Sequence, residues 1–137
     1  MKPKDYSLLT DAVKGNKAAE ALLRDGWGAM AVWDDLIDQD RVPTPEEINL
    51  AMWRLIATIP ANPFYREHFA DLFPLIKNAA LTWMASNEVE EEHRLLAKTM
   101  ALHFIDLIVA CALICGGVDH AVVTARVNWL AFFLEEE

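Results

Sequence analysis

Apolar residues follow a helical period along almost the whole chain. They recur three and four residues apart, and no stretch alternates between apolar and polar positions as a half-buried strand would. Helix start signals divide the pattern. Thr44, Pro45 and Glu47 have the spacing of an N-cap, a first-turn proline and a capping box. Asn62 and Pro63 repeat the cap and the proline, so the sequence predicts helices separated by short loops.

The boundary signals give six helical segments. These cover about 5–14, 17–39, 45–59, 63–86, 88–115 and 119 to the end. We predict an all-α fold, in which residues 1–137 form one helical domain, a bundle of five or six helices. The segment 88–115 is apolar on all sides from Phe104 to Cys115 except at Asp106, so we expect it at the centre of the bundle.

Composition adds an expectation about partners. The 137 residues are 54% hydrophobic and carry a net charge of −9, with a mean hydropathy of +0.15. This argues against disorder, and it leaves more apolar side chains than a small monomer easily hides, which favours a homo-oligomer. The negative charge disfavours binding to nucleic acid or anionic membranes. The five tryptophans line either a ligand pocket or the helix crossings of the core.

The apolar stretch "LHFIDLIVACALICGG" (102–117) raises the question of a membrane span. Its apolar run is shorter than about 18 residues and contains His103 and Asp106, and an Asp at mid-bilayer costs about 3 kcal/mol. We therefore expect a buried helix. The start, "MKPKDYSLLTD", lacks the apolar region of a signal peptide. With Cys111 and Cys115 as free thiols in a reducing compartment, this favours a cytoplasmic location.

Candidate chemistry begins at "WDDLIDQD" (33–40). On a helix, Asp34 falls inside the apolar arc, Asp38 lies one turn on, and Asp35 points away. Carboxylates four residues apart are about 5–6 Å apart at Cβ and repel each other. When half-buried they need a cation, a proton or a basic partner, and Mg²⁺ is one solution. The alternatives are a Lys or Arg partner and an ordinary solvated helix end.

A second set of polar residues lies on the segment 88–115. One stripe of that helix contains Glu88, Glu92, Thr99, His103 and Asp106. Because an unpaired buried carboxylate is costly, the edge formed by Asp34 and Asp38 is the candidate to face this stripe. We predict a Mg²⁺ site made by Asp34, Asp38 and Asp106, with His103 behind the metal ligands orienting Asp106. The alternative is that His103 only holds Asp106 by a hydrogen bond. No motif assigns catalytic residues or another cofactor.

Three resemblances accompany these residues. "DDLID" (34–38) resembles the Asp-Asp-x-x-Asp motif of class I isoprenoid synthases, which implies Mg²⁺, a prenyl diphosphate, and Asp34 and Asp38 as metal ligands. Asp35–Asp38 and His103–Asp106 are similar in spacing to the acidic pairs of all-α nucleoside-triphosphate pyrophosphatases, which implies a nucleotide diphosphate ligand. From "VWDDLID" through "ANPFYREHF" the chain resembles small uncharacterised helical proteins of tailed phages and prophages, which implies a phage-related role without naming an activity.

Two functions are therefore expected from the sequence. The first is an oligomeric binding or structural protein, phage-related, whose acidic residues are structural. The alternative is a Mg²⁺-dependent enzyme that processes a diphosphate, in which a metal-bound water attacks phosphorus. The sequence leaves open whether the chain is an enzyme.

Overall fold

A computed structural model describes the backbone of residues 6–135 and the side chains of residues 6–134. Within this range the protein consists of helices and connecting turns without strands, so the all-α prediction is confirmed. The elements in chain order are α1 (Ser7–Ala12), α2 (Lys17–Asp38), α3 (Pro45–Trp53), a π-helical turn (Arg54–Thr58), α4 (Ile59–Ala61), α5 (Pro63–Glu67), α6 (Phe69–Ser86), a 3₁₀ turn (Glu91–His93), α7 (Arg94–Ala101), α8 (Ile105–Gly116) and α9 (Val118–Glu135).

The caps predicted at Thr44 and Asn62 are present. The Thr44 hydroxyl accepts a hydrogen bond from the Glu47 backbone N–H (3.2 Å), and the Glu47 carboxylate accepts one from the Thr44 N–H (3.0 Å). The Asn62 side chain accepts the Tyr65 N–H (3.0 Å) and donates to the Ala18 carbonyl (2.9 Å). Asn62 thus starts α5 and also joins it to α2, which is why this polar side chain is only 8% exposed.

The predicted number of helices, five or six, is not confirmed, because three of the predicted helices are interrupted. The π-helical turn separates α3 from α4, His68 separates α5 from α6, and a turn over 102–104 separates α7 from α8. The segment predicted as the central apolar helix is therefore not one uniform element. α8 buries Ile105 and Ile108 completely, yet it leaves Leu113 49% and Ile114 36% exposed. A central position for this segment stays a prediction.

The main core lies where α8 and α9 pack against α1, α2 and α6. Gly117 makes the turn between α8 and α9, and its φ of +86° is the left-handed region that glycine tolerates best. His120 on α9 donates from Nε2 to the carbonyl of Ala12 at the end of α1 (2.8 Å). Gly116 makes room for this contact, since a Cβ there would meet the His120 ring. This hydrogen bond joins the end of α1 to the first turn of α9.

One helical stretch of the described chain, Glu91–Gly116, is long and apolar enough by composition to cross a membrane. Of its most apolar window, 39% is buried inside the protein. A core helix of a soluble protein meets the same criteria, so the stretch is weak evidence for a span.

Candidate functional site

A polar groove lies between the end of α2, the end of α6 and the segment that leads into α7, with a volume of about 1330 Å³. Its charged lining residues are Asp34, Asp38, Asp40, Glu91, Glu92, Arg94 and Lys98. Carboxylates and cationic side chains therefore share one concave surface. The prediction that Asp34 and Asp38 lie on the same side of their helix agrees with this arrangement.

The two aspartates are close enough to interact directly. Burial raises the pKa of the Asp38 carboxyl, and the charge of Asp34, a hydrogen bond with Asp34 and the charge of Asp40 raise it further. Burial and the neighbouring negative charges therefore disfavour the ionised form of Asp38.

The other predicted site residues pair with each other. His103 Nδ1 lies 3.1 Å from Asp106 Oδ2, and the two side chains are 40% and 44% exposed. The His103 ring also meets the Trp129 ring edge-on, with the centroids 5.4 Å apart. Neither His103 nor Asp106 lines the groove. Their contact matches the alternative in which His103 holds Asp106 by a hydrogen bond.

The proposed metal ligands are thus brought together only in part. The structure places Asp34 and Asp38 side by side, and it pairs Asp106 with His103. Across residues 6–134, no group of three or more His, Cys, Asp or Glu side chains has an arrangement that could hold a metal ion. The three-carboxylate Mg²⁺ site stays a prediction.

Asp35, which the helical projection turned away from Asp34 and Asp38, has a structural partner. Arg41 Nη2 donates to Asp35 Oδ2 (2.9 Å) and to Glu47 Oε2 (2.8 Å). These bonds connect the end of α2 to the first turn of α3. The hydrogen bond from Arg41 lowers the pKa of Glu47 to about 2, helped by the Thr44 backbone.

A second concave feature is an apolar cavity of about 520 Å³. A ligand pocket lined by tryptophans was one of the two interpretations that the sequence left open. The cavity lies between α2, α3 with the π-helical turn, α6 and α8, and its walls include Trp27, Met30 and Trp33. Trp33 packs on Trp83 with ring centroids 4.3 Å apart. Because Trp83 lines the polar groove, this indole pair stands between the cavity and the groove.

Two glycines of α2 shape the wall beside the π-helical turn. A Cβ on Gly28 would meet the guanidinium of Arg54, so the glycine permits the approach of that side chain. Arg54 Nε then lies 3.4 Å from Asp25 Oδ1. Gly26 lines the cavity, and a Cβ there would have no heavy atom within 4 Å. In this wall Gly28 is in close contact with the Arg54 side chain, whereas Gly26 faces open space.

No protein-family model, curated protein or solved structure matches this chain. The resemblances to isoprenoid synthases, nucleotide pyrophosphatases and phage proteins stay predictions.

Proposed function

We propose that this chain is a binding or structural protein that works as a homo-oligomer, with the outer face of α9 as the contact between copies. The observation that supports this is a set of exposed apolar side chains along α9, two on each side of Arg126 and spaced by four residues within each pair. Val118 is 68% exposed, Val122 65%, Leu130 52% and Leu134 60%.

α9 is apolar on both sides. Its inner face buries Ala121, Thr124, Asn128 and Phe132 against the rest of the bundle. A surface helix that needed only this inner contact would carry polar residues outside. An exposed apolar face on a helix is typical of a surface that associates.

The charges on the outer face suit a two-fold contact. Asp119 and Arg126 are seven residues apart, which places them on nearly the same side of α9, and both are exposed. In an antiparallel pair with its axis between Val122 and Val123, Asp119 faces Arg126 of the partner subunit. The two α9 helices then overlap over residues 118–127, so Val118 and Val122 lie in the contact and Leu130 and Leu134 lie outside this overlap. The two-fold axis makes the charge pair occur twice, as self-complementary interfaces require.

Light scattering after size exclusion tests the proposal. The wild-type chain is expected to have the mass of a dimer or a larger assembly, and Val122→Glu is expected to have the mass of a monomer. Val42→Glu is the matched control, because Val42 is 84% exposed in the loop between α2 and α3. A monomeric wild type at about 100 μM, or an oligomer unaffected by Val122→Glu, would refute the proposal.

Charge reversal tests the antiparallel arrangement separately. Asp119→Arg and Arg126→Asp each place like charges across the two-fold axis, so each is expected to weaken association. The double variant restores opposite charges and is expected to recover the wild-type mass. If the double variant is no better than the single ones, the contact has another register.

A Mg²⁺-dependent, diphosphate-processing enzyme is the second candidate function. The polar groove favours this candidate, because it contains the adjacent carboxyls of Asp34 and Asp38 and also Arg94 and Lys98. Carboxylates would bind the Mg²⁺ ion, and the cationic side chains would bind the phosphate oxygens of the diphosphate. Thermal melts with and without Mg²⁺ and pyrophosphate test this candidate. The expected result is a stabilisation that Asp34→Asn abolishes and Asp35→Asn keeps. No stabilisation, or an equal one in Asp34→Asn, would exclude it.

A further inference from the structure

The apolar cavity extends from the surface into the core. Its inner walls include Leu22, Trp27 and Leu107, which are 1%, 2% and 4% exposed. Its rim includes Met52 and Phe73, which are 48% and 40% exposed. The feature is therefore an open pocket with an apolar floor and an apolar entrance.

The cavity lining has a simple chemistry. No lining residue is charged, and the polar side-chain atoms are confined to Trp27, Trp33 and Tyr65. The indole N–H of Trp27 is buried and has no hydrogen-bond acceptor in the described part of the chain. An ion that entered the cavity would lose its bound water, and the lining offers no charged group to take the place of that water. The cavity therefore selects an uncharged, apolar group.

The open space is not ordinary packing. Protein interiors are close-packed and contain few voids larger than a water molecule. Here α2 has a glycine at position 26, where a side chain would find empty space. The opposite wall contains the π-helical turn, whose Leu55 lines the cavity. π-Helical turns inside α-helices are frequent at functional sites.

The size of the cavity limits the kind of occupant. Its volume of about 520 Å³ falls in the range of roughly 300–1,000 Å³ that small-molecule pockets have. A helix is about 10 Å across and rises about 1.5 Å per residue, so this space would hold only about one turn of a partner helix. We propose that the cavity binds the aliphatic chain of a small amphiphile such as a long-chain fatty acid or alcohol. This site is independent of the α9 contact.

Fluorescence with cis-parinaric acid, a fluorescent fatty acid, tests the proposal. Energy transfer from the tryptophans of the protein to the bound probe is expected, with saturation at one probe per chain. Palmitic acid and hexadecanol are both expected to displace the probe. Displacement by palmitic acid alone would assign the site to a carboxylate ligand, and displacement by both would show that only the aliphatic chain is recognised. Failure of the probe to saturate would overturn the proposal.

Two variants locate the binding. Gly26→Leu fills the space beside α2 and is expected to weaken probe binding at least tenfold. Met52→Glu places a charge at the exposed rim and is expected to act in the same direction; it covers the case in which Gly26→Leu does not fold. Val42→Glu in the loop between α2 and α3 is the matched control and is expected to leave binding unchanged, because Val42 is 84% exposed and does not line the cavity.

The outcomes separate this site from the oligomer contact. Wild-type binding in both Gly26→Leu and Met52→Glu would refute the cavity as the site. A change of oligomeric mass in Gly26→Leu, without a change in probe binding, would show that a second copy fills the cavity and would also refute it.

Discussion

Gly26 and Gly28 stand two residues apart in α2, and their substitution by alanine is expected to have different effects. Alanine stabilises a helix interior by about 0.5–1 kcal/mol relative to glycine when its methyl group fits. The methyl group at position 26 meets nothing within 4 Å, so Gly26→Ala is expected to raise the free energy of unfolding by about this amount. The methyl group at position 28 would meet the Arg54 guanidinium.

Gly28→Ala gains the same helix propensity but displaces Arg54. The Arg54–Asp25 pair joins side chains that are 26% and 20% exposed, and a pair near the surface contributes up to about 1 kcal/mol. The two effects nearly cancel. We therefore expect Gly28→Ala to be about 1 kcal/mol less stable than Gly26→Ala.

Urea denaturation followed by circular dichroism measures both values, and a difference of about 1 kcal/mol corresponds to about 3–5 °C in Tm for a chain of this size. Arg54→Ala tests whether displacement of the Arg54 side chain causes this difference. In that background Gly28→Ala is expected to stabilise the protein as much as Gly26→Ala does. Equal stabilisation by the two substitutions in the wild-type background, or no recovery with Arg54→Ala, would refute this account of the α2 wall.

Three further predictions concern single features. Thr44→Ala removes a cap and is expected to lower the free energy of unfolding by about 1 kcal/mol in urea denaturation; an unchanged midpoint would contradict this. The raised pKa of Asp38 means that stability from this group is fully present below its unfolded pKa of about 3.8 and is lost as pH rises through the folded pKa. Asp38→Asn is therefore expected to stabilise the protein at pH 7 by about 0.2–0.5 kcal/mol, an advantage that disappears in melts below pH 3. Burial raises the pKa of Cys111 to about 12, so iodoacetamide at pH 8 is expected to alkylate Cys115 first; equal rates by mass spectrometry would argue against a buried Cys111.

Local signals in the sequence account for much of the fold. Thr44 and Asn62 cap helices because a hydroxyl or amide oxygen bonds to a free N–H in the first turn, an interaction within three residues of the chain. The helical period likewise places Asp34 and Asp38 on one side of α2 without knowledge of the rest of the protein.

The break between α7 and α8 had no such signal. The sequence there lacks glycine and proline, and the backbone only tightens, with N–H groups bonding to carbonyls three residues back. Two of these bonds run from Ile105 to Leu102 (2.9 Å) and from Asp106 to His103 (3.0 Å). Tightening of this kind is set by packing against neighbouring helices, which a periodic pattern does not contain.

The position and size of the apolar cavity were also not predicted, for a different reason. Periodicity places Trp27 and Trp33 on the inner face of α2. It gives the direction of these side chains, but it does not show whether other side chains fill the space that they face. Gly26 was the one local sign, since glycine inside a helix lowers helix stability without any local benefit. The open space beside Gly26 also depends on where the π-helical turn lies on the opposite wall of the cavity. That turn is distant from Gly26 in the sequence, so no local pattern predicts its position.

The hydrogen bond between His120 and Ala12 has a consequence for the order of folding. Leu9 and Val13, beside that carbonyl, are fully buried, and α1 packs on α8 and α9, which come last in the sequence. α1 also packs on α2, so only the part of its apolar face that α8 and α9 cover stays exposed during synthesis until these two helices have left the ribosome. Contacts across such a long loop form late. Pulsed hydrogen exchange during refolding would show this as protection of α1 that arises no earlier than protection of α9.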